Sequence, residues 1–469
     1  MSDVSVKSRY QALIDILPKD NLFRLCYTYT KENSSACDSF AFAASLGFIS
    51  ALISPFVRIQ TKNNREEQTN LFITILGDST VSGKSDAIRP LLKSGLLRDA
   101  STKINDYILV LGNTQDTTQG IIETLVDRVS SRGPGAVSCD GVDFDFSILL
   151  QDKTISLVTL STEAGPYFLS TGGTKDNARG REISGFHRDA YDTNIIDIPL
   201  TKSARNKIGF NLETITATCT ILLGLTMDEF NEVKGNTSAS CGQLPRFMFV
   251  GVDGSFKGLP YVDYSETRMT VKREDILTAV EDFASNLNGY PHIVRFNADS
   301  PIVQELNKTF VEARDLTADV SDTVRRATIR GVVNLYRVAG LIAGCQLENT
   351  VSDEILTALK DVFENEIMPF SIEAQSEESE LERKILNSIE WYHNDNCQDP
   401  TKWEIRQKFS VRSNKDFVAA LTALIQAGRI TCYKGDAKNR ESIEVYEKPV
   451  YGARYVLTDW LKDNEERAK

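Results

Sequence analysis

The 469-residue chain lacks any pair of cysteines in C-x-x-C spacing, and only three histidines accompany its eight cysteines. These absences exclude a zinc site of local spacing and the disulfide framework of small secreted domains. Proline and glycine number only 13 and 28, which excludes collagen-like and wholly disordered chains. Scattered cysteines without a basic, apolar leader predict free thiols in a reducing cytosol, so we expect a cytoplasmic location.

Long apolar runs are equally scarce. One uncharged run, residues 40–57, reaches the 18 residues at which a membrane-spanning helix becomes a candidate. Serine and glycine residues dilute this run, Pro55 ends it, and the segment Cys37-Asp38-Ser39 supplies N-cap chemistry in front of it. We therefore expect a helix buried in the core and no association with a membrane.

The net charge of −12 is unevenly distributed. Residues 381–469 carry 16 Lys or Arg against 14 Asp or Glu, so residues 1–380 hold a net charge of −14. An acidic segment 1–380 with a near-neutral segment 381–469 is compatible with a DNA-binding protein. Its basic groups would then be concentrated in a pore or in a small DNA-binding domain.

A polar acidic stretch at residues 375–380 predicts a linker. Before it, strand-like and helical patterns alternate, which predicts an α/β fold with a mostly parallel sheet, whereas residues 272–370 have helical spacing throughout. The expected strands are 71–76, 107–111, 155–160, 218–225 and 246–250, with helices at 38–53, after Gly83 and from Thr118. The expected domains are an N-terminal helical segment (1–37), an α/β core (38–270), a helical region (271–375) and a C-terminal domain (381–469).

The first predicted strand runs directly into a glycine-containing loop with helical sequence behind it. A phosphate-binding loop requires strand, loop and helix in this order. In such a loop, backbone N–H groups attract an anion, a lysine reaches the β- and γ-phosphates, and a serine ligates Mg²⁺. We therefore predict binding of ATP with Mg²⁺. The expected phosphate contacts are Gly77, Ser79, Thr80, Ser82, Gly83, Lys84 and Ser85.

The loop departs from the G-x-x-x-x-G-K-[ST] pattern in one respect. The first glycine of the pattern falls at position 78, where the chain has Asp78, and Gly77 lies one residue too early. Pro90 also stands inside the following helix, where it favours a kink. An ordinary turn between a strand and a helix is the alternative interpretation.

A site that hydrolyses ATP also needs an acid on a neighbouring strand. The apolar strand at 155–160 leads to Glu163, at the end where α/β sheets bind ligands. We predict Glu163 as the catalytic base and, with Ser85, as part of the metal site. The usual aspartate before this glutamate is Thr162 here, and a glutamate that merely ends a strand is the alternative.

The order of these features resembles that of RecA-like, helicase-type ATPases of phages, plasmids and satellite elements, which are often fused to primases. The resemblance covers about residues 38–370, and no primase domain fits in the short segment before it. It implies a RecA-like P-loop NTPase core that assembles as a homo-oligomeric ring, expected to be a hexamer, with ATP between subunits. The segments that carry it are 83–85, 116–120, 162–165, 190–192 and 242–247.

Within such a ring, Arg246 at the start of its strand is expected to reach a γ-phosphate, and a structural salt bridge is the alternative. Thr226, at a strand end, is a candidate nucleotide sensor. A basic segment between strands is expected to carry cations into the pore, where they contact single-stranded DNA; an exposed basic loop is the alternative. Its cations are Lys202, Arg205 and Lys207.

Residues 381–469 have the pattern of a winged helix. Helices are expected at 381–391, 401–409 and 414–427, with Trp403 and Ile405 facing inward, and strands at 429–433 and 453–457. The third helix and the wing are expected to contact duplex DNA, and a protein-binding role is the alternative. The expected DNA contacts are Arg412, Asn414, Lys415, Lys434, Lys438 and Arg440.

These patterns together favour an ATP-dependent replicative helicase or initiator-type motor of a mobile genetic element. The alternative is a DNA-binding assembly or regulatory protein whose degenerate ATPase acts as a nucleotide-dependent switch. The displaced glycine, Asp78 and Thr162 favour that alternative. A DNA-packaging motor is a third possibility, without the acidic and histidine cluster of an accompanying nuclease.

Overall fold

The computed structural model divides the chain into two compact units, residues 1–376 and 377–469, each described here by itself. The division falls within the acidic stretch 375–380. The described residues are 8–78, 83–104, 108–111, 155–162, 165, 167–168, 185–187, 189–192, 195–197, 214–230, 244–252, 269–288, 291–315, 322–375, 380–396, 399–407, 417–418, 421–422, 424–425, 429–434, 444–451 and 453–458.

Three helices begin the first unit: α1 (Arg9–Ile16), α2 (Leu22–Asn33) and α3 (Asp38–Ile53). Every residue of α3 is buried, including Asp38 at its first position, and the uncharged part of its sequence predicts this. Its serines serve as buried hydrogen-bonding groups; Ser50 Oγ, for example, lies 2.7 Å from Thr220 Oγ1 of the sheet. No helix in the described part of the chain combines the length and apolar composition needed to cross a bilayer.

The central sheet has five parallel strands in the order β4-β5-β7-β3-β8, and β6 pairs antiparallel with β7. The predicted α/β class and mostly parallel sheet are thus confirmed. Strand β7 begins four residues earlier than expected, and a 3₁₀ turn (Leu244–Arg246) precedes β8. The strands are β3 (Phe72–Leu76), β4 (Ile108–Leu111), β5 (Ile155–Ser161), β6 (Ile195–Asp197), β7 (Thr214–Leu225) and β8 (Phe247–Val250). Thr118, the predicted start of a helix, lies outside the described residues.

The helix after Gly83 is irregular. It starts as α4 (Lys84–Ile88), widens into a π-helical turn (Arg89–Lys93), and is followed by α5 (Leu96–Ile104). Proline has no N–H to donate, and its ring collides with the carbonyl four residues earlier, so the i→i+4 ladder breaks at Pro90 and the wider turn replaces it.

Residues 272–370 are not helical throughout, contrary to the prediction. Strand β9 (His292–Val294) pairs in parallel with β1 (Val57–Gln60), which also pairs with β2 (Glu66–Gln68). Three residues are too few to interrupt a helical spacing visibly, and the pairing partner lies far away in the chain. The helices are α6 (Arg273–Asn286), α7 (Pro301–Arg314), α8 (Asp322–Gly344), α9 (Asp353–Val362), a π turn (Phe363–Ile367) and α10 (Met368–Gln375).

One hydrophobic core joins the three ranges predicted as separate domains, 1–37, 38–270 and 271–375. Helix α8 packs closely on β1, where a Cβ added to Gly340 would collide with Ile59 Cγ2. The helices after the sheet therefore complete its core instead of forming a domain of their own.

The second unit contains α11 (Glu380–Asn396), α12 (Lys402–Gln407) and an antiparallel sheet in the order β11-β10-β12. Ile405 is buried as predicted. Trp403 is 65% exposed, so the prediction that it faces inward is wrong. Residues two apart point to nearly opposite sides of a helix, so both could not face one core. Strand β11, in the predicted wing, was not expected. The strands are β10 (Ile430–Lys434), β11 (Glu444–Tyr446) and β12 (Arg454–Leu457).

Candidate functional site

The parallel strands of the central sheet end together at one edge, which we call the carboxyl edge. Leu76 of β3 is level with Leu225 of β7, and Ser161 of β5 is level with Leu223. After β3 the chain forms β4 and β5, which are not neighbours of β3 in the sheet. Only later does it form β7 and β8, the two strands that pair with β3. Such a reversal of strand order opens a crevice at the carboxyl edge, where open α/β sheets bind ligands.

Lys84 is held at this edge between the ends of two strands. Its Nζ donates to Gly77 O at 2.6 Å and to Leu225 O at 2.8 Å, and the residue is buried. The Gly77 N–H also donates to Leu225 O, at 3.1 Å. The lysine that sequence analysis selected is therefore a cation fixed where β3 and β7 meet.

The residues around Lys84 differ in backbone conformation and exposure. Gly83 has φ +68, in the left-handed region, and a Cβ there would lie 3.2 Å from Ser35 Oγ. The side chains of Ser85 and Asp78 are exposed. Thus Gly77, Gly83, Lys84 and Ser85 are gathered at the carboxyl edge, while Ser79, Thr80 and Ser82 lie outside the described residues.

Glu229, which was not among the predicted site residues, is an acid at the same edge. Its Oε2 accepts hydrogen bonds from Thr226 N at 2.9 Å and Thr226 Oγ1 at 3.0 Å. A Cβ added to Gly165 would stand 2.8 Å from Glu229 Oε1, so this carboxylate adjoins the chain just after β5. The signal was present, because Thr226 and Glu229 have capping-box spacing directly after a predicted strand.

Arg246 lies at the opposite end of the sheet. Because Phe72 pairs with Phe247, Arg246 is level with the start of β3, roughly 20 Å from Gly77 at about 3.3 Å per residue. Its Nη2 donates to Asp192 Oδ2, and Arg330 Nη1 lies 3.4 Å from the other oxygen of that carboxylate. The salt bridge weighed as the alternative role of Arg246 is present.

Tyr191 and Asp192 form the centre of an arginine cluster with Arg246, Arg330 and Arg337. The Arg337 guanidinium lies 3.9 Å from the centre of the Tyr191 ring and donates to Tyr191 O at 3.1 Å. Burial raises the pKa of Asp192, but the Arg246 hydrogen bond and the charges of all three arginines outweigh burial and hold that pKa below its usual value. Asp192 is therefore a carboxylate at neutral pH.

His187 is a buried neutral histidine. Its Nδ1 shares a hydrogen bond with the Tyr167 hydroxyl at 2.8 Å, and its ring contacts Phe72 edge-on. Burial lowers the pKa of His187 to about 4. These contacts support the structural role expected of a histidine inside an aromatic cluster.

His187 predicts how stability depends on pH. The unfolded chain binds a proton near pH 6.5 and the folded chain only near pH 4, so the unfolded state binds more protons between those values. Stability should therefore fall by about 3 kcal/mol as the pH is lowered across this window. Urea unfolding at a series of pH values measures the loss. His187→Gln keeps a polar partner for Tyr167 and should remove this contribution, and an unchanged slope in that variant would contradict the assignment.

Most residues predicted to bind DNA, and the predicted catalytic acid, lie outside the described residues. These are Glu163, Lys202, Arg205, Lys207, Arg412, Asn414, Lys415, Lys438 and Arg440. Lys434 is described: it is exposed on β10, with its Nζ 5.6 Å from the centre of the Tyr446 ring. Within the described ranges no three His, Cys, Asp or Glu side chains cluster closely enough to hold a metal ion.

The fold and the carboxyl edge define a mixed α/β protein with a mostly parallel sheet. A comparison with protein-family models gives no match, and a search of the curated proteins finds no similar sequence.

Proposed function

We propose that the chain is an ATP-dependent motor acting on DNA, of the replicative helicase or initiator type, from a mobile genetic element. The observation that carries the proposal is Lys84 Nζ, buried between the ends of β3 and β7 at a topological switch point. Lys84 is a fixed cation at the carboxyl edge, beside the left-handed Gly83 and the exposed hydroxyl of Ser85. This arrangement suits the phosphates of a nucleoside triphosphate.

The residues at this edge have separate roles in the proposed reaction. Lys84 exchanges one backbone acceptor for phosphate oxygens, which its three N–H donors allow. Ser85 and Glu163 would hold Mg²⁺, which when bound would neutralise charge that develops on the transferring phosphoryl group. Glu163 accepts a proton from the attacking water, and Glu229 fixes Thr226 at the end of β7.

Arg246 acts on a neighbouring subunit in this proposal. It lies at the end of its own sheet away from its own phosphate loop, so only a ring, as in the hexamers that the family resemblance implies, could bring it to a nucleotide.

Lys202, Arg205 and Lys207 then face single-stranded DNA in the pore. The second unit reads duplex DNA as a winged helix, with its third helix and wing. Five described cysteines are all buried free thiols, which supports a cytoplasmic location.

ATP hydrolysis by the purified full chain, with and without single-stranded DNA, tests the proposal. We expect turnover that DNA stimulates, together with an assembly larger than a monomer in gel filtration when ATP is present. Nucleotide binding without turnover, at any DNA concentration, would contradict the motor. Glu163→Gln, which keeps the side-chain volume, is expected to bind ATP and lose turnover.

The second candidate function is a nucleotide-dependent switch for assembly on DNA. The specific observation in its favour is Asp78, exposed at the position where the phosphate-loop pattern requires glycine, because a carboxylate there repels phosphates. Asp78→Gly discriminates between the candidates: a motor limited by this repulsion gains turnover, whereas a switch gains ATP affinity alone.

A further inference from the structure

Trp403 on α12 is a large aromatic side chain that lies outside the hydrophobic core of the second unit. Its side chain is 65% exposed, although the neighbouring Ile405 is fully buried in a closed core. Tryptophan combines a large apolar surface with a flat aromatic face, so an exposed one is a strong candidate for contact with a ligand.

Two cations lie on the same exposed side of α12. Lys402 and Arg406 are four residues apart and flank Trp403, which is three residues from Arg406, so all three share one helix face. The one acid of α12 is Glu404. The face therefore complements an anionic partner that also carries flat aromatic groups.

The carboxylate of Glu404 is directed away from these cations. Its Oε2 accepts from Thr401 N at 2.7 Å and from Thr401 Oγ1 at 2.8 Å, which holds it at the start of the helix. The Thr401 N–H is the main cause of the lowered pKa of Glu404, and the charge of Arg454 adds to it. The acid therefore serves as a cap and does not cancel the charge on the Trp403 face.

A second exposed tryptophan adjoins this helix. Trp391 of α11 is 41% exposed and meets the Tyr392 ring edge-on at 4.9 Å. The Tyr392 hydroxyl donates to Glu404 O at 3.4 Å, so the turn that carries Trp391 contacts the turn that carries Trp403.

We propose that Lys402, Trp403 and Arg406 form a binding site for single-stranded nucleic acid. The indole stacks on an unpaired base, and the two cations contact the phosphates on either side. Single strands are favoured over duplexes because the base faces of a duplex are already stacked. A tryptophan and an arginine also suit a protein partner, and the experiments below distinguish that outcome from binding of a single strand. This site is separate from the third helix and wing predicted to read duplex DNA, and it needs no nucleotide at the phosphate loop.

The emission of Trp403 itself tests the proposal. The chain has three tryptophans, so the full-length Trp391→Phe, Trp460→Phe variant leaves Trp403 as the sole indole. Titration with oligothymidylate in the absence of ATP is expected to quench its emission to saturation. In the otherwise unchanged chain, Trp403→Ala should weaken binding on the order of tenfold, and Trp403→Phe should restore part of the loss. Lys402→Gln with Arg406→Gln should lower the slope of log affinity against log salt by about 1.4, since each phosphate contact on a single strand contributes about 0.7.

Tyr451→Ala is the matched control, because Tyr451 is 98% exposed in the same unit but lies outside this face. It should leave oligonucleotide affinity unchanged. Binding detected by anisotropy without quenching of Trp403 would overturn the proposal, because the strand would then bind elsewhere. Equal quenching by a duplex of the same length would overturn it too. A shift of Trp403 emission with protein concentration and not with oligonucleotide would identify a contact between copies of the chain instead.

Discussion

Replacing Lys84 with alanine is expected to reduce ATP hydrolysis to background. Lys84 is the cation at the carboxyl edge, and no other residue of the described loop carries positive charge. Because its Nζ also bonds Gly77 O and Leu225 O, the variant should lose about 1–3 kcal/mol of stability, as expected when buried acceptors lose a charged donor. Turnover assays and urea unfolding measure the two effects.

Two further variants distinguish an effect on ATP turnover from an effect on the stability of the fold. Lys84→Met keeps the buried aliphatic stem without the ammonium group, so it should hydrolyse no ATP while losing less stability than Lys84→Ala. Ser85→Ala changes an exposed hydroxyl and should shift stability by no more than about 0.5 kcal/mol. It should nevertheless weaken the dependence of turnover on Mg²⁺. Full turnover in Lys84→Ala would remove the phosphate loop from the mechanism.

Replacing Arg246 with alanine is expected to give the second large effect, a destabilisation of about 1–3 kcal/mol. The loss is smaller than the 3–5 kcal/mol typical of a fully buried pair because Asp192 is 40% exposed. Arg330→Ala is the control: its guanidinium lies 3.4 Å from the same carboxylate and is 30% exposed, so its removal should cost less than about 1 kcal/mol.

The same pair gives a pH dependence with a defined sign. Because the pKa of Asp192 is held below its usual value, its stabilising contribution is complete above about pH 4, the unfolded value. It is lost as the pH falls through the folded value. Arg246→Ala should flatten this acid limb of the stability profile. An acid limb identical to that of the unchanged chain would mean that Arg246 does not set the pKa of Asp192.

Mixing two inactive variants tests whether Arg246 also acts between subunits. A Lys84→Ala subunit supplies an intact Arg246, and an Arg246→Ala subunit supplies an intact phosphate loop. If the arginine serves a neighbour's nucleotide, the mixture should recover turnover that neither variant has alone. Turnover in Arg246→Ala equal to that of the unchanged chain would leave Arg246 with the structural role that its contact with Asp192 already defines.

The local sequence pattern correctly predicted the helix α3 and the strands of the core. The uncharged run became the buried α3, and each predicted strand lies within a few residues of an observed one. Pro90 produced an irregular helix, as expected. These predictions succeed because apolar periodicity and backbone chemistry are properties of neighbouring residues.

Predictions failed where the outcome depends on distant partners. Strand β9 was missed because three residues form a strand only beside β1, more than two hundred positions earlier. Trp403 was assigned to the core because its own side chain is apolar, yet the core of the second unit was completed by Ile405. The capping-box spacing of Thr226 and Glu229 was a local signal, but only the folded sheet brings Glu229 beside the chain that follows β5.

The sequence by itself determined the α/β class, the strand before the loop, and Lys84 as the cation of that loop, since each depends on residues adjacent in the chain. Only the tertiary structure decided what those residues meet. Lys84 bonds a carbonyl 141 residues away, and Arg246 pairs with an acid 54 residues away at the opposite end of the sheet. The physical reason is strand order: parallel pairing selects which strand ends become neighbours, and no local periodicity encodes that choice.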